Sequence, residues 1–181
     1  SHAELKIINN KLIPALDRVG DNYEKGEIFL PQLNKSAEAS QEAFDLIKER
    51  VSSQGKASVS KGDIVMATVK GDIHDIGKNI VKVILENYGY NVIDLGRDVD
   101  IEKVVDAVVK YDIKLLGLSA LMTTTLKSME KTIERVRKVA PACKIMVGGA
   151  VLTEEYALKI DADYYCKDAK KSVECAQIVF G

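Results

Sequence analysis

Beyond Lys61, short apolar runs alternate with stretches of helical periodicity, and this alternation restricts the fold more than any other feature of the sequence. The apolar runs lie at Ile64–Val69, Asn91–Leu95, Leu115–Ser119, Lys144–Val147 and Asp163–Cys166, and the helical stretches lie near 77–88, 101–111, 125–139, 153–160 and 169–179. Strands that lack polar alternation and are each followed by a helix are typical of a parallel sheet covered on both faces. The pattern therefore predicts an α/β fold with a doubly wound parallel sheet of five strands.

The strand order that such a sheet most often adopts is the flavodoxin-like order 2-1-3-4-5, which we expect here. Before this region, apolar residues recur every three or four positions between residues 3 and 54, as in a set of helices. Pro14 and Pro31 suit the first turns of two of these helices. We therefore predict a small helical domain over residues 1–57 and the flavodoxin-like domain over residues 58–181.

Charge and composition argue against several classes of protein. The 26 basic and 27 acidic residues give a formal charge of -1, so there is no positive excess to bind a nucleic-acid backbone. The longest apolar runs are far shorter than the ~20 residues that span a bilayer, and no signal peptide is visible. The three cysteines lack the spacing of a metal site. These features favour a reduced, cytoplasmic protein with neither nucleic acid nor membrane as a partner.

Three unusual segments follow strands that neighbour each other in the expected sheet. In a doubly wound sheet, ligands bind at the carboxyl ends of the strands, near the point where the strand order reverses. Lys70–Asn79 follows the first strand, Ser119–Thr125 ends the third, and Gly148–Ala150 follows the fourth. Their coincidence at one edge of the sheet predicts a binding site there.

The first of these segments matches neither a phosphate loop nor a phospho-acceptor site. A phosphate loop has four residues between its glycines and a Ser or Thr after its Lys. Here five residues separate Gly71 from Gly77, and Asn79 follows Lys78. A phospho-acceptor protein would need an acceptor Asp after the third strand, where this chain has Ser119.

Asp72 and His74 are the remaining candidates for chemistry in this segment. An imidazole binds a metal best through one nitrogen when its other nitrogen donates to a carboxylate, which Asp72 could supply. One histidine cannot build a four-ligand zinc site, but it can give one axial ligand to a metal already held by a macrocycle. Gly77 would let a bulky ligand or a neighbouring strand approach the start of the next helix. The alternative is that Asp72 or Asp75 caps that helix and His74 is a solvent-exposed loop residue.

Together, the three segments resemble the signature of cobalamin-binding proteins, which bind the cofactor base-off with a histidine on cobalt. The signature is D-x-H-x-x-G after the first strand, S-x-L after the third and G-G after the fourth. Gly26–Leu33 and the following Lys35-Ser36-Ala37 resemble the helical cap domain of methyl-transferring members. The residues around His74 and the segment Tyr165–Ala169 are most similar to the cobalamin module of methionine synthase.

The resemblance implies a role for each matching residue. His74 would be the lower axial ligand of cobalt in methylcobalamin, Asp72 would accept from its other ring nitrogen, and Thr125 would complete this relay, where methionine synthases often have Ser. The other implied cofactor-binding residues are Gly71, Ile73 and Asp75 at the corrin edge, Gly77 at the helix start, Ser119, Leu121, Thr123, Gly148, Gly149, Ala150, Asp168 and Ala169 around the nucleotide tail, and Tyr23, Leu30 and Leu33 in the cap, with Asn9 as a further contact. Taken singly, the cap leucines could instead be bundle core, Ser119 and Thr123 strand-end caps, and the glycine pair a turn.

The function implied is that of a methyl carrier, a module of a methyltransferase that is not active alone. In methionine synthase the donor would be methyltetrahydrofolate and the acceptor homocysteine, with homocysteine- and folate-binding barrels and a reactivation protein as partners. The alternative is the small corrinoid protein of a methanol- or methylamine-type methyltransferase system, which differs only in its partners. A cobalamin-dependent mutase domain, a cobalamin-sensing regulator and a flavodoxin-like module without cofactor are further alternatives. Only about three cap helices fit before residue 55, so we expect a longer enzyme or a subunit.

Overall fold

The computed structural model of the protein describes Lys11, residues 13–52 and residues 60–181. The chain divides into two compact units. One unit contains the described residues up to Lys61 together with Glu86–Tyr90, and the other contains Gly62–Leu85 and Asn91–Gly181.

Two helices make up the described N-terminal part, α1 at Ile13–Glu24 and α2 at Leu30–Ser52. Each has a proline as its second residue, where the missing N–H of proline costs nothing. Phe29 precedes α2, and its N–H donates to Oε1 of Gln32 at 2.8 Å, which is the backward half of a capping box. The second of these helices, α2, ends at Ser52.

The second unit alternates strands and helices in the order that the apolar runs predict. The strands are β1 at Asp63–Thr68, β2 at Asn91–Asp94, β3 at Leu115–Ser119, β4 at Lys144–Gly148 and β5 at Tyr164–Tyr165. The helices are α3 at Ile76–Asn87, α4 at Ile101–Lys110, α5 at Leu126–Val139, α6 at Glu154–Lys159 and α7 at Ala169–Phe180, with a 3₁₀ turn at Thr123–Thr125 before α5.

The five strands form one parallel sheet in the order β2-β1-β3-β4-β5, which confirms the predicted flavodoxin-like topology. Ile64 pairs with Leu115 and Thr68 pairs with Ser119, so β1 and β3 end at the same level of the sheet. Ser119 in turn pairs with Gly148 at the end of β4. The three segments that carry the signature therefore leave the sheet side by side.

An apolar core holds these strand ends in place. Strand residues such as Val65, Leu116 and Ile145 have no exposed surface. Helices α4 and α5 add Val104, Val108, Ile133 and Val136 to the same core. Full burial of one such side chain contributes roughly 1.5–3 kcal/mol. Within the residues that the structure describes, no helix combines the length and the apolar character needed to cross a membrane.

Candidate functional site

The carboxylate of Asp72 lies at the centre of the predicted site and is fully buried. Its Oδ1 accepts from the backbone N–H of His74 at 3.0 Å and lies 2.9 Å from ring Nδ1 of the same residue. Its Oδ2 accepts from the backbone N–H groups of Leu121 at 2.7 Å and Met122 at 3.2 Å, and from the Thr125 hydroxyl at 3.0 Å. One carboxylate thus joins the segment after β1 to the segment after β3.

These hydrogen bonds decide the charge of Asp72. Burial disfavours the ionised carboxylate, because a charge loses its hydration in a medium of low dielectric constant. The hydrogen bonds donated by the backbone and ring of His74, by Leu121 and by Thr125 outweigh that burial and hold the pKa of Asp72 well below its usual range. Asp72 is therefore an anion at neutral pH and acts only as an acceptor.

The ring of His74 takes its orientation and its tautomer from this anion. Because an ionised carboxylate can only accept, Nδ1 must carry the proton that lies between the two side chains. In the neutral ring Nε2 then has a free lone pair, and it makes no hydrogen bond within the described part of the chain. The His74 side chain is 46% exposed, so a ligand can reach this nitrogen. His74 is thus held by its backbone and one nitrogen, with the other nitrogen available to a metal.

The Thr125 hydroxyl closes the group on its buried side. It lies 3.0 Å from Oδ2 of Asp72 and 2.8 Å from the carbonyl oxygen of Met122, and both oxygens are acceptors. A hydroxyl has a single proton, so only one of the two bonds can form at a time. The bond to the carboxylate is charge-assisted and is the stronger one. The structure thus brings together the three residues predicted to form the relay.

The ligand atoms available at this site suit a metal ion that is already bound in a macrocycle. The described residues contain no group of three or more His, Cys, Asp or Glu side chains that could hold a metal ion by themselves. Around the imidazole, the large apolar side chains of Ile73, Ile76 and Leu121 are exposed. A single oriented imidazole suits a metal that is already held in the plane of a macrocycle and can accept one axial ligand. Cobalamin, with its cobalt in a corrin ring, is a cofactor of this kind.

Gly148, the last residue of β4, and Gly149, which follows it, allow a close approach of backbones. A Cβ on Gly149 would lie 1.8 Å from the carbonyl oxygen of Ala120, and the φ of Gly149 is +137°. A Cβ on Gly148 would lie 3.0 Å from the carbonyl oxygen of Cys166. The resemblance assigns these glycines to the nucleotide tail, and the chain's own packing by itself also requires glycine at position 149. Ala150, which follows, is exposed.

The other predicted tail residues lie at the same edge. Ser119 is the last residue of β3, and exposed Thr123 begins the 3₁₀ turn. Asp168 accepts from the N–H of Lys171 at 2.8 Å and caps α7, which begins at Ala169. This capping bond gives Asp168 a structural role that does not depend on a ligand.

The residues expected at the corrin edge lie between β1 and the start of α3. Gly71 has a φ of +87°, Ile73 is exposed and Asp75 is half-buried. No described atom lies within 4 Å of the position that a Cβ on Gly77 would occupy. The alternative in which a neighbouring strand approaches this glycine is therefore wrong, and the space beside it is open.

The cap residues are assigned by resemblance alone. Tyr23 lies near the end of α1, Leu30 begins α2, and Leu33 is the buried residue one turn later. Asn9 lies outside the described residues.

Two contacts at the site could not be predicted from the sequence. Lys78, in the first turn of α3, pairs with Asp94 at the end of β2. Asp98, in the loop after β2, hydrogen-bonds the loop after β1. Both contacts depend on β2 lying beside β1, and only the assembled sheet shows which side chains meet.

Comparison with known proteins agrees with this geometry. A family model described as a B12 binding domain matches residues 62–176, and a second model with the same description matches residues 2–48. The chain therefore belongs to the family of B12-binding domain proteins, which confirms the resemblance to cobalamin-binding proteins.

Three relatives illustrate the match. Dimethylamine corrinoid protein 1 of Methanosarcina acetivorans is 38% identical over 174 residues, which is 95% of this chain and 81% of that protein. The crystal structure of a cobalamin-binding protein from Desulfitobacterium hafniense has a TM-score of 0.83 at 31% identity, covering 99% of this chain and 84% of that one. A chain of the methanol:cobalamin methyltransferase complex of Methanosarcina barkeri has a TM-score of 0.82 at 32% identity, covering 98% of this chain and 67% of that one.

Proposed function

We propose that this protein is the corrinoid carrier of a methylamine- or methanol-type methyltransferase system. It would bind cobalamin and carry a methyl group between methyltransferase partners. The proposal is supported by relatives named as a dimethylamine corrinoid protein and as part of a methanol:cobalamin methyltransferase complex, both similar over nearly the whole chain. The single structural observation that carries it is the imidazole of His74, held through Nδ1 with Nε2 free.

The finer prediction of a methionine synthase module gains no support from these relatives. Methyltetrahydrofolate as donor, homocysteine as acceptor and the corresponding barrels as partners all belong to that prediction. The alternative, a small corrinoid protein, fits the relatives better. The two readings share the same site residues and differ in the partner that delivers and removes the methyl group.

We assign His74 as the axial ligand, base-off, and Asp72 and Thr125 as the groups that hold it. Bound cobalamin would supply the cobalt that accepts and releases the methyl group, which is chemistry that no side chain of this protein provides. The part of Asp72 is to keep the proton on Nδ1 and the lone pair on Nε2. The role of Thr125 is to donate a hydrogen bond to the buried Asp72 carboxylate when the Nδ1 proton of His74 moves. The nucleotide tail is assigned to the residues around Ser119, Gly148 and Asp168.

Ligand binding can be tested by absorption spectroscopy. The protein is mixed with methylcobalamin or hydroxocobalamin, separated from free cofactor, and its spectrum is recorded across pH for the wild type and His74→Ala. The matched control is His2→Ala, which removes the chain's other histidine. We expect His74→Ala to change the spectrum and His2→Ala to leave it unaltered. Identical spectra for all three would contradict ligation by His74, and a wild type that retains no cobalamin would contradict the proposed function.

The partners can be tested with the same loaded protein. After reduction, it is incubated with a dimethylamine- or methanol-specific methyltransferase and its substrate, or with a folate-dependent methyltransferase and methyltetrahydrofolate. Methylation of the bound cofactor is followed by absorption. The proposal expects methylation from the amine or alcohol system, and methylation from the folate system alone would favour the methionine synthase reading.

A further inference from the structure

We propose that Asp98 is a positioning residue for the His74 loop, defined as residues 69–75. Asp98 would hold this loop by hydrogen bonds in both directions and so keep Asp72 and His74 in the geometry that presents Nε2. This inference rests on the proposed function, since it concerns the residue assigned there as the metal ligand.

The His74 loop and the loop after β2, which contains Asp98, are joined by two hydrogen bonds that run in opposite directions. Oδ1 of Asp98 accepts from the backbone N–H of Gly71 at 2.8 Å. The backbone N–H of Asp98 donates to the carbonyl oxygen of Asp72 at 2.9 Å. Beside them, Val69 and Val99 form a parallel bridge that extends the pairing of the two chain segments past the end of β1. Asp98 thus fixes the peptide groups on both sides of the residue pair Gly71–Asp72.

The backbone conformations of both loops are matched to these bonds. Gly71 has a φ of +87° and Asp98 has a φ of +50°. Positive φ is uncommon for residues other than glycine, although Asp and Asn adopt it more readily than most. Asp98 combines this conformation with a side-chain acceptor, a pair of properties that only Asp and Asn supply well. Asp112 also has a positive φ of +48°, in the turn between α4 and β3, where it makes no bond to the His74 loop.

The ion pair of Asp98 contributes less than its hydrogen bonds. Lys70 Nζ lies 3.3 Å from Asp98 and 3.2 Å from Asp100, so the two carboxylates share one ammonium. Both Lys70 and Asp98 are nearly half exposed, and pairs of that kind contribute little. The hydrogen bond from Gly71, followed by the one from Lys70, holds the pKa of Asp98 below its usual range. Asp98 is therefore ionised at neutral pH, when it accepts from Gly71.

The consequence reaches His74 through Asp72. The side chain of Asp72 is held by its five donors, and its carbonyl group is held by Asp98. Without the Asp98 side chain, the N–H of Gly71 loses its acceptor, while the backbone N–H of residue 98 can still donate to the Asp72 carbonyl oxygen. The His74 loop is then held from the β2 side by one hydrogen bond instead of two, and the backbone around Asp72 is less fixed. The Asp72–His74 hydrogen bond would then weaken, and the proton of the neutral ring would distribute between Nδ1 and Nε2.

The test measures this proton directly in the cofactor-free protein. Two-bond ¹H–¹⁵N NMR spectra report the tautomer of each imidazole, and a His2→Gln background leaves His74 as the chain's single histidine. The variants are Asp98→Gly, which removes the acceptor and relieves the positive φ, and Asp98→Asn, which keeps both the acceptor oxygen and the tolerance of positive φ. The controls are Asp100→Asn for the Lys70 pair and Asp112→Gly for the backbone conformation.

In the wild type at alkaline pH, we expect the proton of His74 on Nδ1. In Asp98→Gly the ratio of Nδ1–H to Nε2–H should fall by up to about tenfold, the factor expected if the charge-assisted Asp72–His74 hydrogen bond were lost. Asp98→Asn, Asp100→Asn and Asp112→Gly should keep most of the wild-type ratio. A wild-type ratio in Asp98→Gly, or an equal fall in Asp100→Asn, would overturn the proposal.

The same variants loaded with cobalamin give a second readout. The absorption of the His74-ligated form should weaken in Asp98→Gly and stay unchanged in Asp100→Asn. Because the NMR measurement needs no cofactor, it stands even if the wild type binds no cobalamin. That result would refute the proposed function alone, whereas an unchanged tautomer in Asp98→Gly would refute the role of Asp98 alone.

Discussion

The ammonium of Lys78 lies 2.6 Å from Oδ1 of Asp94, and only 1% of the lysine side chain is exposed. Removing Lys78 leaves the largely buried Asp94 carboxylate with only the more distant Lys82 and the N–H of Gly96, and a buried charge that loses its close partner is costly. We therefore expect Lys78→Met to lower the free energy of unfolding by about 3 kcal/mol. The matched control is Lys82→Met, because Lys82 lies 3.6 Å from the same carboxylate but is 31% exposed. Its loss should cost less than about 1 kcal/mol. Urea unfolding of both variants gives the comparison, and equal losses would contradict the special role of Lys78.

Asp163 should make the stability of the protein depend on acid pH. Burial opposes its ionisation, but the hydrogen bonds from Arg137, Lys144 and the N–H of Ile145 prevail and hold the pKa of Asp163 below its usual range. A carboxylate whose pKa is lowered by folding contributes stability above its unfolded pKa, and this contribution disappears as the pH falls through the folded value. The wild type should therefore lose stability below about pH 4, the ordinary pKa of Asp.

Asp163→Asn should be less stable than the wild type at neutral pH and should lose less on acidification. Chemical unfolding at neutral pH and at low pH measures both effects. Asp161→Asn is the control, since Asp161 bonds the same arginine but is largely exposed. If Asp163→Asn loses as much stability on acidification as the wild type, Asp163 is not the source of the acid dependence.

Gly149 should tolerate no side chain. A Cβ there would lie 1.8 Å from the Ala120 carbonyl oxygen, and a φ of +137° is a conformation that L-residues rarely adopt. The strained backbone alone costs about 1–3 kcal/mol, and the clash with backbone atoms adds to it. Gly26→Ala is the control, because Gly26 has a φ of +72° with no described atom within 4 Å of the added Cβ. We expect Gly149→Ala to lower the melting temperature much more than Gly26→Ala, and similar losses would contradict the contact.

Thr125 should act through its hydroxyl rather than its shape. Thr125→Val keeps the volume but removes the donor to Asp72, and hydrogen bonds to charged groups contribute about 1.5–3 kcal/mol. Thr125→Ser keeps the donor and loses one methyl group. We expect Thr125→Val to lower the free energy of unfolding of the cofactor-free protein by more than Thr125→Ser does. The reverse order would show that packing of the methyl group, not the hydroxyl, stabilises the site.

Much of the fold could be predicted because β1 and β3 are buried on both faces and carry no polar alternation. The edge strand β5 was less predictable. It spans only Tyr164–Tyr165 instead of 163–166, since it pairs with β4 alone. The amino-acid pattern also missed the 3₁₀ turn at Thr123–Thr125, which separates β3 from its helix.

At the site, the side-chain partners were visible in the sequence and the backbone partners were not. The D-x-H spacing predicts the contact of Asp72 with His74. The N–H groups of Leu121 and Met122, however, belong to every non-proline residue and leave no mark on residue identity. Their contribution depends on the register of β1 against β3, which brings residues about fifty positions apart into contact.

Because Asp72 accepts from five donors, this one residue determines both the basicity of the His74 imidazole and part of the stability of the fold. A substitution of Asp72 that changed the basicity of His74 would also leave the N–H groups of Leu121 and Met122, just after β3, without their acceptor. Selection therefore cannot change one of these properties at this position without changing the other. Thr125 supplies only one of the five hydrogen bonds to the carboxylate, so a substitution there changes the surroundings of Asp72 at a smaller cost in stability. Divergence of reactivity among proteins built on this sheet should accordingly be sought around Asp72 rather than at it.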